Sequence, residues 1–98
     1  MSKQGLHFGV LAVDLFFPDP QSLKEKRMIL KGIKDKLRKE FNVSVAEVEY
    51  QDTWQRISLA LGMVATDQPY LNAVLDQAHN FLGQFSQVQI TRHELTFF

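Results

Sequence analysis

Residues 7–41 read HFGVLAVDLFFPDPQSLKEKRMILKGIKDKLRKEF, and the change of rhythm inside this stretch decides the fold. His7 to Phe17 is dense in Val, Leu and Phe and stops at Pro18-Asp19-Pro20. It reads as a strand shielded over most of both faces. From Ser22 the period lengthens. Ser22-Leu23-Lys24-Glu25 is a capping box: the hydroxyl can accept the free N–H three residues on, and the carboxylate can reach back. A helix therefore begins near Leu23. Leu23, Ile29, Leu30, Ile33, Leu37 and Phe41 then recur on one of its faces.

The rest of the chain repeats the pattern. Val43 to Gln51 is a second strand, broken at Asp52-Thr53. Arg56 to Thr66 is a third, with Ile57, Leu59, Leu61 and Met63 in alternation. Asp67 is a helix N-cap, and Pro69 sits in the first turn, where its missing N–H costs nothing. Leu71, Val74, Leu75, Ala78, Phe81 and Leu82 make a second amphipathic face that Gly83 ends, and Val88 to Phe97 is the last strand. The order is βαββαβ. Right-handed crossovers turn it into an α+β, ferredoxin-like sandwich, a four-stranded antiparallel sheet with two helices on one face. Residues 1–98 are read as a single ferredoxin-like domain, with no linker or repeat. The topology also brings Pro18–Arg27 and Gln51–Arg56 to the same end of the sheet.

Composition narrows the function classes. The absence of Cys excludes disulfides, thiol catalysis and thiolate metal sites, and fits a reducing compartment. No apolar run approaches the roughly 20 residues that cross a bilayer. Met-Ser-Lys-Gln-Gly at the start has no signal-peptide pattern, so a cytoplasmic location is expected. The net charge is zero, yet residues 22–41 hold eight of the eleven Lys and Arg. Through Asn42 the balance is +4, and from Val43 onward it is −4.

On a helical wheel Lys24, Arg27, Lys31, Lys34 and Arg38 form one continuous basic stripe beside the apolar arc. Lys36 and Lys39 lie elsewhere, diluted by Glu25 and Asp35, whereas Lys26 falls inside the apolar arc and is expected to snorkel toward the helix start. The stripe has two readings. One is an ordinary solvated helix face; the other is a track for RNA phosphates, with a log–log salt slope of about −4 on duplexes. Trp54 and Arg56 in YQDTWQR, close to the first turn of the basic helix, would add a stacking surface and a cation. Their structural alternative is a turn in which Asp52 bonds the backbone, Trp54 covers the core end and Arg56 pairs with a carboxylate.

Other readings are weaker. RNA-recognition-motif domains share this order but stack bases on aromatics of the third strand, and RISLALGMVAT has none. The uncovered sheet face instead draws on Phe8, Val10, Ala12 and Phe16 or their neighbours, an apolar surface that invites a homodimer. His7, His79 and His93 lie on separate elements without metal-ligand spacing, and Asp14 is a lone carboxylate in the first strand, expected to be hydrogen-bonded near the strand end. Acylphosphatases, small enzymes of this topology, need a Gly-rich turn carrying an Arg after the first strand, where this chain has FFPDPQS. No catalysis, cofactor or metal is expected.

Three stretches carry a family likeness: Ser22-Leu23-Lys24-x-Lys26-Arg27, FNVSVAEV from Phe41 to Val48, and Gln51-Asp52-x-Trp54-Gln55-Arg56. In this order and spacing they resemble the YlxP-like family of small bacterial proteins of unknown function, over nearly the whole chain. The resemblance implies a ferredoxin-like fold and a bacterial cytoplasmic protein. Genes of the family often neighbour those of transcription and translation factors, which implies a link to RNA or the ribosome. It carries over no catalytic residue. The motif residues, Ser22, Leu23, Lys24, Lys26, Arg27, Gln51, Asp52, Trp54, Gln55 and Arg56, come over as hallmarks only. The expectation is thus a non-catalytic module that binds RNA or a ribosomal subunit, or else a homodimeric interaction domain.

Overall fold

The computed structural model describes residues 5–18, 22–48 and 55–98. Its elements are β1 (His7–Phe16), α1 (Leu23–Glu40), β2 (Ser44–Val48), β3 (Arg56–Ala65), α2 (Gln68–Leu82) and β4 (Gln89–Phe97). The strands form one antiparallel sheet in the order β2-β3-β1-β4, so β1 and β3 are central and β2 and β4 are edges. The helix starts are set by caps. Ser22 Oγ accepts from Glu25 N at 3.1 Å, and an Asp67 carboxylate oxygen accepts from Tyr70 N at 2.8 Å. The C-caps are Phe41 and Gly83, so Phe41 packs just beyond the helix whose apolar face it was expected to extend.

β1 and β3 pair one to one from His7↔Ala65 to Phe16↔Arg56 without a slip. Because side chains alternate across a sheet, this register sorts two sets of residues. Leu11, Val13, Leu15, Ile57, Leu59, Leu61 and Met63 are buried beneath the helices. They meet Leu30, Ile33 and Leu37 of α1 and Leu71, Leu75, Ala78 and Leu82 of α2 in one core. The alternate set, Phe8, Val10, Ala12 and Phe16, remains half-buried or exposed. The apolar richness of β1 suggested cover on both faces. Both helices in fact lie on one, and the second apolar set is left at the open face.

Two local features keep the layers in register. Between Asp14 and Leu15 the pairing with β4 skips from Arg92 to Ile90, a bulge at Thr91. The extra residue places Ile90 against Leu15 at the core and spares Thr91 from burial; its hydroxyl faces the Asp14 carbonyl at 3.4 Å. At the other end, Gly9 permits a close approach. A Cβ there would lie 3.0 Å from the Phe97 ring and 3.2 Å from a Leu75 methyl. Replacing Gly9 with Val is therefore expected to cost about 1–3 kcal/mol through overpacking. In a urea titration this appears as a lower midpoint with an unchanged slope.

Candidate functional site

The basic stripe lies along the seam between α1 and the edge strand β2, and much of it is engaged from within. Val45 and Glu47 share the helix-covered side of β2, because they are two residues apart on a strand. Glu47 is thus a carboxylate at a position that would ordinarily be apolar. Arg27 Nη1 donates to its Oε1 at 3.1 Å, and Lys34 Nζ donates to its Oε2. Burial would raise the Glu47 pKa, but the hydrogen bonds and charges of Lys34 and Arg27 hold it below the ordinary carboxylate value. Further down the helix, Lys31 Nζ donates to Asp35 at 2.8 Å, and Arg38 Nη2 donates to the Val45 carbonyl at 3.2 Å. Lys24 is exposed. The Arg27 side chain is 54% exposed and that of Lys31 77%, whereas that of Lys34 is only 20% exposed.

The end of the sheet where β1 stops is organised by Lys26. It occupies the apolar arc of α1, as its wheel position requires, and is 5% exposed, far deeper than a snorkelling lysine. Its ammonium donates to the Arg56 carbonyl at 3.1 Å and stands 5.7 Å from the centre of the Phe17 ring. Phe17 is itself tied to the start of β3, its N–H donating to the Gln55 carbonyl at 2.7 Å. The two hallmark stretches therefore do meet, through Lys26 and the backbone of Gln55-Arg56. The Arg56 guanidinium turns the other way, 5.7 Å from the Phe16 ring on the open face, away from Lys24 and Arg27. Leu23 is exposed, not buried as its place on the wheel suggested. Gln51, Asp52 and Trp54 lie outside the described residues.

The open sheet face is a platform with raised ends. Its middle rows are small: Ala12 pairs with Ala60 and Ala60 with Ala46, while Val10 pairs with Gly62 and Gly62 with Ser44. One end carries Phe8, Val64 and Phe98, the Phe8 and Phe98 rings being 5.3 Å apart. The other end carries Phe16 and Arg56. A hollow of about 400 Å³ runs beside Phe8, Ser44, Gly62 and Val64. Charges sit toward β4, where Asp14 pairs with Arg92 and Ala12 with Glu94. Asp14 is hydrogen-bonded, as expected: it accepts from the Ser58 hydroxyl at 2.5 Å.

Sequence spacing did not reveal that His79 of α2 and His93 of β4 meet edge to face with ring centres 4.4 Å apart. The His79 Nε2 is buried without a hydrogen-bond partner among the described residues. Among those residues no three His, Asp or Glu side chains gather as a metal site would require, and no helix is long and apolar enough to cross a membrane.

Comparison with known proteins places these features in context. Residues 8–95 match the family described as Protein of unknown function (DUF503). "Uncharacterized protein YlxP" of Bacillus subtilis (strain 168) is 40% identical over 78 residues, which cover 78% of this chain and 85% of that protein. Among solved structures, "Structural Genomics, protein YJCS" superposes with a TM-score of 0.59 at 11% identity, over 91% of this chain and 96% of that one. A Bacteroides fragilis protein of unknown function, described as dimeric and of ferredoxin-like fold, superposes with a TM-score of 0.56 at 12% identity, over 97% and 96%. At these identities the structural likeness establishes the ferredoxin-like fold.

Lys26 yields a test of its own. Burial first, and the Arg27 charge second, lower its pKa from the ordinary 10.5, with Glu47 opposing. A lysine that binds its proton less tightly when folded opposes folding while it is charged. That cost fades as pH rises through the folded value toward the unfolded one. The wild type should therefore gain stability relative to a Lys26→Met variant as pH rises toward 10.5. Urea midpoints of the two proteins across alkaline pH check this; parallel curves would contradict it.

Proposed function

This chain belongs to the DUF503 family, whose function is unknown, and we propose that it is a non-catalytic cytoplasmic binding module that pairs with a second copy of itself through the open sheet face. The observation that carries this reading is the face itself: a platform of mostly small and apolar side chains on β1, β2 and β3, bordered by the polar side chains of β4, that no element among the described residues covers. Contiguous apolar surface of this kind marks an interaction site. Its form favours a copy of itself as the occupant. A twisted sheet is saddle-shaped, and two such sheets interlock when crossed, as in orthogonal sheet packing. The floor of Ala12, Ala46, Ala60 and Gly62 lets two backbones approach, while the Phe8–Phe98 and Phe16 ends supply bulk at the rim. Both charge signs, in Asp14, Glu94, Arg92 and Arg56, lie on the same face, so one copy offers partners for the other. The Bacteroides fragilis protein described as dimeric, with the same fold, is consistent with this.

A second reading concerns the opposite side of the molecule. Pairing through the open face leaves α1 outward, and its stripe has more cations than Glu47 and Asp35 can offset. An RNA backbone, free or within a ribosomal subunit, is the partner such a track fits, with Lys24, Arg27, Lys31, Lys34 and Arg38 as phosphate contacts; the Arg56 guanidinium, turned to the open face, is not among them.

The two readings separate by experiment. For the first, light scattering at micromolar concentration should show a dimer, and Ala60→Glu should yield a folded monomer by circular dichroism. A wild-type monomer would refute it. For the second, Lys24→Glu combined with Lys31→Glu should weaken binding to structured RNA and flatten its log–log salt slope by about 0.7–0.9 for each phosphate no longer neutralised. An unchanged slope would remove the stripe from the interaction.

A further inference from the structure

Glu47 holds an unusual place. It lies on the covered side of an edge strand, 18% exposed, with one cation on each oxygen. Lys34 and Arg27 are seven residues apart on α1, two turns of the helix, and both turn inward to the same carboxylate. Two donors on the two oxygens of one anion is also how basic side chains hold a phosphate. The seam lies at the edge of the sheet, and more than half of the Arg27 side chain is open to solvent, so an external anion can reach the same pair.

We infer that Glu47 is an internal counter-anion, occupying the oxyanion position between Arg27 and Lys34 that a phosphodiester group of a single-stranded RNA would otherwise take. This rests on the second reading above and deepens it: the affinity of the stripe is set as much by this carboxylate as by the cations. A tethered competitor acts at a high effective concentration, so an RNA phosphate displaces it only at a penalty. The wild-type stripe then offers its exposed members, Lys24 and Lys31 foremost, and holds Arg27 and Lys34 back. Asp35 differs from Glu47 because it is exposed, and an exposed ion pair exchanges readily.

The test measures fluorescence anisotropy of a labelled single-stranded RNA against wild type, Glu47→Gln and Asp76→Asn across a salt series. Asp76 is an exposed carboxylate on α2, so its variant changes net charge equally without touching the seam. Freeing one or two cations should steepen the slope by about 0.7 each and raise affinity about fivefold per cation near 0.1 M salt. Asp76→Asn should leave the slope where it is. A double variant, Glu47→Gln with Lys34→Gln, should return the share of the gain that one cation supplies, which ties the effect to the pair and not to a change in folding. If the wild type binds RNA and Glu47→Gln only matches Asp76→Asn, the counter-anion role is overturned while the second reading stands. If no variant binds, both fail together.

Discussion

The constraint on which the rest depends is the unslipped pairing of β1 with β3. Side chains on a strand alternate, so a register that runs from His7↔Ala65 to Phe16↔Arg56 commits each residue of the two central strands to one face. On one side it assembles the layer of Leu and Val that both helices cover. On the other it lines up Ala, Gly, Val and Phe with no helix above them. A slip of a single residue in either strand would turn that strand's two sets over, bringing Asp14 of β1 or Ser58 of β3 to the helix-covered side. Core and open platform are therefore two consequences of one register.

The same alternation places Glu47. β2 is short and at the edge, and its parity with Val45 puts a carboxylate where the helix layer closes down. Such a group is tolerated only when it is paired, and α1 supplies Arg27 and Lys34 for that purpose. The seam of α1 against β2 is accordingly electrostatic, whereas α2 is held by Leu71, Leu75, Ala78 and Leu82. Lys26 solves the related problem at the head of α1. A cation inside the apolar arc is accommodated because a backbone carbonyl and an aromatic face meet it.

Most of the fold was legible in the sequence. The Ser22 and Asp67 caps, the Gly83 stop, the alternation along β3 and the βαββαβ order all rest on local chemistry, and the structure agrees with them within a residue or two. The functional surfaces were legible in part. The basic stripe could be drawn on a wheel, but not the carboxylate that engages it, because Glu47 is thirteen residues from Lys34 and twenty from Arg27. A signal existed in the shared parity of Val45 and Glu47. Reading it required knowing that the covered side of β2 lies beside the basic side of α1. The His79–His93 ring contact had no local signal at all, since it joins a helix to a strand.

What the sequence by itself determined is what periodicity and capping can encode: where strands and helices begin, which residues are apolar in each, and the family to which the chain belongs. Tertiary structure alone decided which of the two apolar faces of β1 is covered, which cations are already neutralised, and that Arg56 offers its carbonyl to Lys26 but its guanidinium to Phe16. The reason is one of range. Periodicity is a property of neighbours along the chain, whereas cover and charge pairing are settled between groups that only folding brings together.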